Sequence, residues 1–267
     1  MVFFSVLGAQ AFWYEPASLT VNRYDVQPPD WPAACSGLNI AVISDLHVGA
    51  PHISLAQVEA VVADTNAAKP DLILLAGDYV IQGIVGGQFV TPEALGRVLH
   101  PLKARLGVYA VLGNHDWWLD GPRVARALIG NGISMLEDAN VWIESGQCRF
   151  RLVGISDFWE GASDLNKALA GIDAGDLVIT FTHNPDIYPE LPRRVTLAIA
   201  GHTHGGQVAF PGIGAPVVPS KYGQRFVGGV IEEPNQLYFV STGIGTSIFP
   251  VRFRVPPEVS IVGLYSR

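Results

Sequence analysis

Asn114-His115, within Gly113-Asn114-His115-Asp116, stands in chain order between Asp45-Leu46-His47 and Gly77-Asp78 on one side and His183 and Gly201-His202-Thr203-His204 on the other. Carboxylate, carboxamide and imidazole donors suit divalent cations such as manganese, iron or zinc, and a set without thiolate disfavours copper or iron–sulfur chemistry. Five of the seven histidines fall in these clusters, and each cluster begins where an apolar run ends. That placement predicts a site assembled at strand ends. Seven ligand candidates exceed the complement of a single zinc site, so two ions are expected.

Asp45 and His47 are two residues apart, and an extended backbone would project both to one side and onto one ion. Asp78 has two oxygens to share and is the natural bridge, while Gly77 before it removes bulk beside the metal. Asn114 adds a neutral carbonyl oxygen, which limits the negative charge at the site; His115 beside it points elsewhere. His202 and His204 would face the same way in an extended strand, with Gly201, Gly205 and Gly206 leaving room for ions and substrate. Taken singly, these residues also fit capped turns or core histidines. Five clusters in order favour a shared centre.

The elements that must position them follow from periodicity. Residues 39–43, 71–76 and 108–112 are short apolar runs that read as buried strands, each delivering a cluster at its carboxyl end. Between them, Ser54 with Gln57 resembles a capping box before the stripe Leu55, Val58, Val61 and Val62. Thr91-Pro92-Glu93 starts a second helix with Leu95, Val98, Leu99 and Leu102 on its buried face, and Asp120-Gly121-Pro122 starts a third. Afterwards the texture turns to shorter β-like runs at 149–155, 177–182, 196–200, 226–231, 237–242 and 260–265, with glycine and proline dense between them. The pattern predicts an α/β protein of two sheets packed face to face with helices outside.

No linker, repeat or charge block divides the 267 residues. One domain over 37–267 is expected, preceded by an apolar segment and extended lead-in over 1–36, because any cut would separate the ligands. A formal charge of −7 argues against a basic nucleic-acid surface, and a phosphate substrate would need bound cations to invert the local potential. Cys35 and Cys148 lack zinc-knuckle spacing; two separate buried thiols are the expectation, with one bridge as the alternative. Residues 1–14 are apolar apart from Ser5 and Gln10 but fall short of the ~20 residues of a spanning helix. Phe3, Phe4, Phe12, Trp13 and Tyr14 suit a membrane interface. A first helix packed on the core is the alternative, so membrane-associated and cytoplasmic placement both stay open.

The ordered set resembles the calcineurin-like metallophosphoesterase superfamily, whose pattern is Asp-x-His, Gly-Asp, Gly-Asn-His-Asp/Glu, a histidine, then Gly-His-x-His. A closer likeness, to a bacterial branch of often membrane-anchored phosphodiesterases, rests on several segments. These are Ser44-Asp45-Leu46-His47, Thr182-His183-Asn184-Pro185-Asp186, Gly201 through Gln207, Pro250-Val251-Arg252-Phe253 and Pro256-Pro257-Glu258. The resemblance implies a four-layer sandwich, two mixed β-sheets flanked by helices. It implies that Asp45, His47 and His204 hold one ion, that Asn114, His183 and His202 hold the other, and that Asp78 bridges them. A hydroxide shared by the two ions would attack phosphorus in line, and His115 would protonate the leaving oxygen.

Around that centre, Asp116 is expected either to orient His115 or to cap the next turn. Trp117 and Trp118 follow it and would either stack on a base or acyl chain or pack in the core. Lys221 and Arg225 lie in a loop after the last ligands; a solvated loop is the default reading, and a cation that meets a second phosphate is the alternative. The implied substrate is a phosphodiester or pyrophosphate, in a nucleotide-linked small molecule or a lipid. A UDP-2,3-diacylglucosamine-type lipid precursor is the runner-up, and a metal-binding scaffold without turnover is the reading from a different class.

Overall fold

A strand covered on both faces needs apolar residues on both, and the apolar runs in this chain become the centres of two sheets. A computed structural model describes residues 2–267, with side-chain surroundings from residue 5 onward. The first sheet takes β1 (Thr20–Val26), β2 (Leu38–Ile43), β3 (Leu72–Ala76), β4 (Val108–Val111) and β5 (Ser134–Met135). The second takes β6 (Ala139–Ser145), β7 (Cys148–Gly154), β8 (Val178–Phe181), β9 (Val195–Ala200), β10 (Gly229–Glu233) and β11 (Gln236–Val240). The last strand, β12 (Glu258–Leu264), returns to the first sheet, giving the orders β1-β12-β2-β3-β4-β5 and β10-β11-β9-β8-β7-β6. Each sheet has a parallel run, β2 to β5 and β7, β8, β9, β11; in the first sheet β12 is antiparallel to β2 and parallel to β1, and in the second both edge strands, β6 and β10, pair antiparallel. Both are therefore mixed, as expected.

The two-residue period of a strand divides the buried side chains between layers. Ile40, Val42, Leu72 and Leu74 point between the sheets against Phe150, Leu152, Ile179 and Phe239. Ala41, Ile43, Ile73 and Leu75 point outward against helices. Those helices are α2 (Leu55–Ala67), α3 (Pro92–Leu99) and α4 (Asn114–Ile129), which follow an N-terminal α1 (Val2–Ala9). The expected caps are present. Gln57 Oε1 accepts the Ser54 N–H at 3.1 Å, and the Thr91 side chain accepts the Ala94 N–H at 3.2 Å.

Three features differ from the sequence reading. Cys35 and Cys148 form a disulfide, not two separate thiols, with Cα atoms 4.7 Å apart; it joins the approach to β2 in one sheet to the start of β7 in the other. The third helix begins at Asn114, ahead of the expected Asp120, where a break (φ −178°, ψ 84°) restarts it. The lead-in to residue 36 contributes β1, paired in parallel with β12.

The chain from residue 2 to 17 is helical with changing pitch. It docks through the Arg252 N–H to the Ala11 carbonyl (2.9 Å) and the Val255 N–H to Glu15 Oε1 (2.6 Å). Among the described residues no helix is long and apolar enough to cross a membrane.

Candidate metal centre

The parallel strands β2, β3, β4, β8 and β9 all release their clusters at one edge of the sandwich, the crevice outside strand carboxyl ends where open α/β sheets bind ligands. Asp45 and His47 follow β2, Asp78 follows β3, Asn114 and His115 follow β4, His183 follows β8, and His202 and His204 follow β9. Five of the seven expected ligands, Asp45, His47, Asp78, His202 and His204, have positive φ between 44° and 71°. Such conformations cost of order 1–3 kcal/mol each and persist where the surroundings over-determine them, as functional sites do. The backbone is therefore not extended at either Asp-x-His or His-x-His, and the paired residues do not simply share a side.

The ligand atoms converge on two adjoining points. At the first, His204 Nε2 lies 3.3 Å from Asp45 Oδ1 and 3.1 Å from His47 Nε2. At the second, His202 Nδ1 lies 3.1 Å from His183 Nε2. Asp78 Oδ2 faces both, 3.6 Å from His47 Nε2 and 3.2 Å from His183 Nε2. His202 and His204 thus serve different points despite their spacing. Asn114 is buried with its Oδ1 bonded to nothing, an orphaned acceptor that a cation would satisfy.

Hydrogen bonds behind the ligands fix which nitrogen faces inward. His183 Nδ1 lies 2.8 Å from the Ala76 carbonyl and His47 Nδ1 3.3 Å from the Val80 carbonyl. Both therefore hold Nδ1–H against the backbone and turn Nε2 to the centre, the orientation typical of metal-bound histidine. Ser44 Oγ donates to Asp45 Oδ2 at 2.6 Å and the His202 N–H does so at 3.0 Å. Gly77 (φ 88°) makes room for protein: a Cβ there would sit 2.6 Å from Gly113 N and 2.8 Å from His183 Nδ1.

Burial pushes His47 and His202 well below the ordinary imidazole pKa and lowers His204 to about 4. Burial thus favours the neutral imidazole in these three, the form that keeps a lone pair for a cation. Burial opposes charge on His183 too, but Asp78 outweighs it and raises this imidazole. Asp78 in turn is opposed by burial and held well below the usual carboxylate range by His183 and His47.

Asp116 does not touch the His115 ring. Its carboxylate accepts the N–H groups of Gly113, Asp78 and Tyr79 at 2.9 Å and of Val80 at 3.2 Å. It caps α4 and pins the loop that carries Asp78. Burial pushes its pKa up and Asp78's charge adds to this, while the backbone donors push back. The neighbour of His115 is Gln82, with Oε1 3.4 Å from His115 Nδ1 and Nε2 donating to the His115 carbonyl at 3.0 Å. No motif announces Gln82.

A cleft of about 310 Å³ opens over Asp78, Asn114, His115, His202 and His204. Trp118 and Trp159 stand in its wall, whereas Trp117 packs against the core under α4. Lys221 and Arg225 do not line it: Lys221 Nζ lies over the Phe158 ring at 4.4 Å, and Arg225 Nε bonds Glu233 at 2.9 Å. A larger groove of about 570 Å³, with Trp142, Arg149 and Arg193, lies at the amino ends of β7 to β9, away from every ligand. Arg252 is fully buried; its guanidinium donates to the carbonyls of Thr242, Gly245 and Val255 and fastens the loop packed on Asp45. Only the tail motif pointed toward it.

Oxygen and nitrogen donors facing one another, with fixed tautomers and an unsatisfied buried carbonyl oxygen, fit divalent cations. The comparisons agree. The calcineurin-like phosphoesterase family profile matches residues 38–206. The chain is 25% identical over 264 residues to the uncharacterized metallophosphoesterase YkuE of Bacillus subtilis, covering 96% of this chain and 89% of that protein. It is 30% identical over 230 residues to the phosphodiesterase YaeI of Escherichia coli, covering 84% and 81%. Among solved structures, the Thermus thermophilus sulfate thiohydrolase SoxB shares the fold, with TM-score 0.53, 14% identity and coverage of 82% of this chain but 53% of that one. The chain thus spans about half of that protein. By profile, by relatives and by the residues gathered at its strand ends, this chain belongs to the calcineurin-like metallophosphoesterases, a family of hydrolases.

Proposed function

We propose that the chain is a phosphodiesterase that holds two divalent cations, manganese, iron or zinc, one on Asp45, His47 and His204, the other on Asn114, His183 and His202, with Asp78 between them. The observation that carries this is the single oxygen Asp78 Oδ2 facing His47 Nε2 at 3.6 Å and His183 Nε2 at 3.2 Å. Bound there, divalent cations supply Lewis acidity toward phosphate and a hydroxide at neutral pH.

The chain supplies orientation and a proton. The His115 N–H donates to Asp78 Oδ1 at 2.9 Å, so the histidine and the bridge are held in one frame. Its ring packs edge-on to His47 (centroids 4.9 Å) and lines the cleft. As the P–O bond breaks, the electron pair goes to the leaving oxygen, and His115 gives it a proton. Burial lowers the His115 pKa, and the Asp78 charge opposes that shift.

The test is hydrolysis of bis-p-nitrophenyl phosphate against p-nitrophenyl phosphate by the manganese-loaded protein. The diester is expected to be the better substrate. Preference for the monoester would overturn the diesterase reading, and silence on both with metal bound would favour the scaffold. A pyrophosphate substrate is less well served, because the cleft offers its second phosphate no lysine or arginine among the described residues.

A lipid-linked diester and peripheral membrane contact are a finer form of this reading. Phe12, Trp13 and Tyr14 are exposed on the N-terminal helix. That helix docks on Arg252, in the stretch that also carries exposed Ile248 and Phe249, and Ile248 lines the cleft. Flotation with phospholipid vesicles tests it. Wild type is expected to float and Phe12→Ser/Trp13→Ser to float less; wild type left in the dense fraction would remove the membrane contact and leave the diesterase reading standing.

A further inference from the structure

The cleft wall beyond the metal ligands is aromatic and uncharged, which bears on the substrate. Trp118 meets the His115 ring edge-to-face with centroids 4.6 Å apart, and Trp159 meets His202 at 4.4 Å and 86°. Both indoles are about half exposed, 52% and 47%, although each touches a residue of the centre. Their placement is built. The Trp118 indole N–H donates to Glu160 at 2.9 Å, and the buried Asp157 accepts the N–H groups of Trp159 and Glu160 at 2.9 Å each. The turn after β7 thus sets Trp159 and Glu160 together and ties Trp118 to them. With its polar tip committed, Trp118 has only its apolar ring carbons left to offer. Val217, Pro219 and Ile248 line the same cleft.

Charge narrows the ligand further. No lysine or arginine lines the cleft among the described residues, and Glu160 stands beside the indoles. A second anionic group bound against the indoles would meet the Glu160 carboxylate and no lysine or arginine. An uncharged ring would meet two half-exposed indoles and an apolar wall.

We propose that Trp118 and Trp159 form a subsite for a flat, uncharged ring carried by one ester arm, making the substrate a phosphodiester with an aryl or nucleobase-like group. This rests on the diesterase reading above and extends it to substrate class. Stacking on an aromatic side chain changes affinity by about tenfold or more per ring.

The experiment uses three symmetric diesters, diphenyl, dicyclohexyl and diethyl phosphate, so that either arm can enter. Each is measured as an inhibitor of bis-p-nitrophenyl phosphate hydrolysis and by calorimetric titration of the manganese-loaded protein. Diphenyl phosphate is expected to bind about tenfold more tightly than dicyclohexyl phosphate, which matches it in size but not in flatness. Trp118→Ala and Trp159→Ala should each remove much of that preference, and Trp159→Phe should keep most of it. Because both side chains are half exposed, these variants are expected to fold, which their thermal unfolding checks. Equal binding of the phenyl and cyclohexyl esters, or a preference that survives both alanine substitutions, overturns the proposal. Ring-selective binding in the calorimeter without turnover would instead overturn the diesterase reading and leave the subsite standing.

Discussion

Replacing Asp116 by asparagine separates two accounts of a residue that stands one position from the expected proton donor. Its two oxygens accept four backbone N–H groups, from Asp78, Tyr79, Val80 and Gly113. All four partners are donors, so a protonated carboxyl would set its O–H against an N–H, and the geometry favours the charged form. Asparagine keeps one acceptor oxygen and turns an NH₂ toward the other two donors. At about 1.5–3 kcal/mol per hydrogen bond to a charged group, two lost bonds amount to about 3–6 kcal/mol. For a domain of this size that lowers Tm by about 6–20 °C. Because the released backbone carries Asp78, manganese affinity should also fall by about 10–100-fold. The assay is thermal unfolding of the metal-free protein together with calorimetric manganese titration. Unchanged Tm and unchanged affinity, with a fall in kcat alone, would refute this reasoning and show that Asp116 acts through His115.

His115→Ala should retain its manganese while kcat drops by about 10²–10⁴-fold; wild-type kcat in the metal-loaded variant would remove His115 from proton transfer. The Cys35–Cys148 bridge closes a loop of sequence separation 113. Cys35→Ala/Cys148→Ala should therefore lose about 2–5 kcal/mol in denaturant unfolding, and an unchanged midpoint would show that the bridge contributes nothing. Glu137 is raised by burial to about 7 from 4.5, so the folded state binds its proton more tightly than the unfolded state does. Its contribution is fully present below pH 4.5 and is lost as pH rises through 7, by at most about 3 kcal/mol. Glu137→Gln should flatten the decline in stability between pH 5 and pH 8, and a parallel decline in variant and wild type would contradict that.

What the sequence reveals here depends on how each element is buried. Strands β2, β3, β8 and β9 are covered on both faces, so their residues form apolar runs that stand out. Strand β1 lies at a sheet edge, with Val21, Arg23 and Asp25 exposed and only Val26 buried; its Thr-Val-Asn-Arg-Tyr-Asp-Val pattern carries little of that signal. The start of α4 is hidden because Gly113-Asn114-His115-Asp116 reads as a turn, and the helix there is held by the Asp116 cap. Residue type and order pointed to seven expected ligands that the fold brings close together. Their backbone conformation did not follow: an extended Asp-x-His was expected, and left-handed residues deliver it. Gln82, Trp159 and Arg252 reach the site, or the loop beside it, through tertiary contacts that no local spacing encodes. The disulfide is of the same kind, since two cysteines 113 residues apart reveal their pairing only once the sheets are stacked.

The central claim is that seven side chains gather two cations around Asp78, and metal stoichiometry tests it most directly. Metal-depleted protein reloaded with manganese, desalted and measured by elemental analysis should carry two ions per chain, and Asp78→Ala should lose both together. One ion or none in the wild type, or two ions retained without the Asp78 carboxylate, would contradict the account.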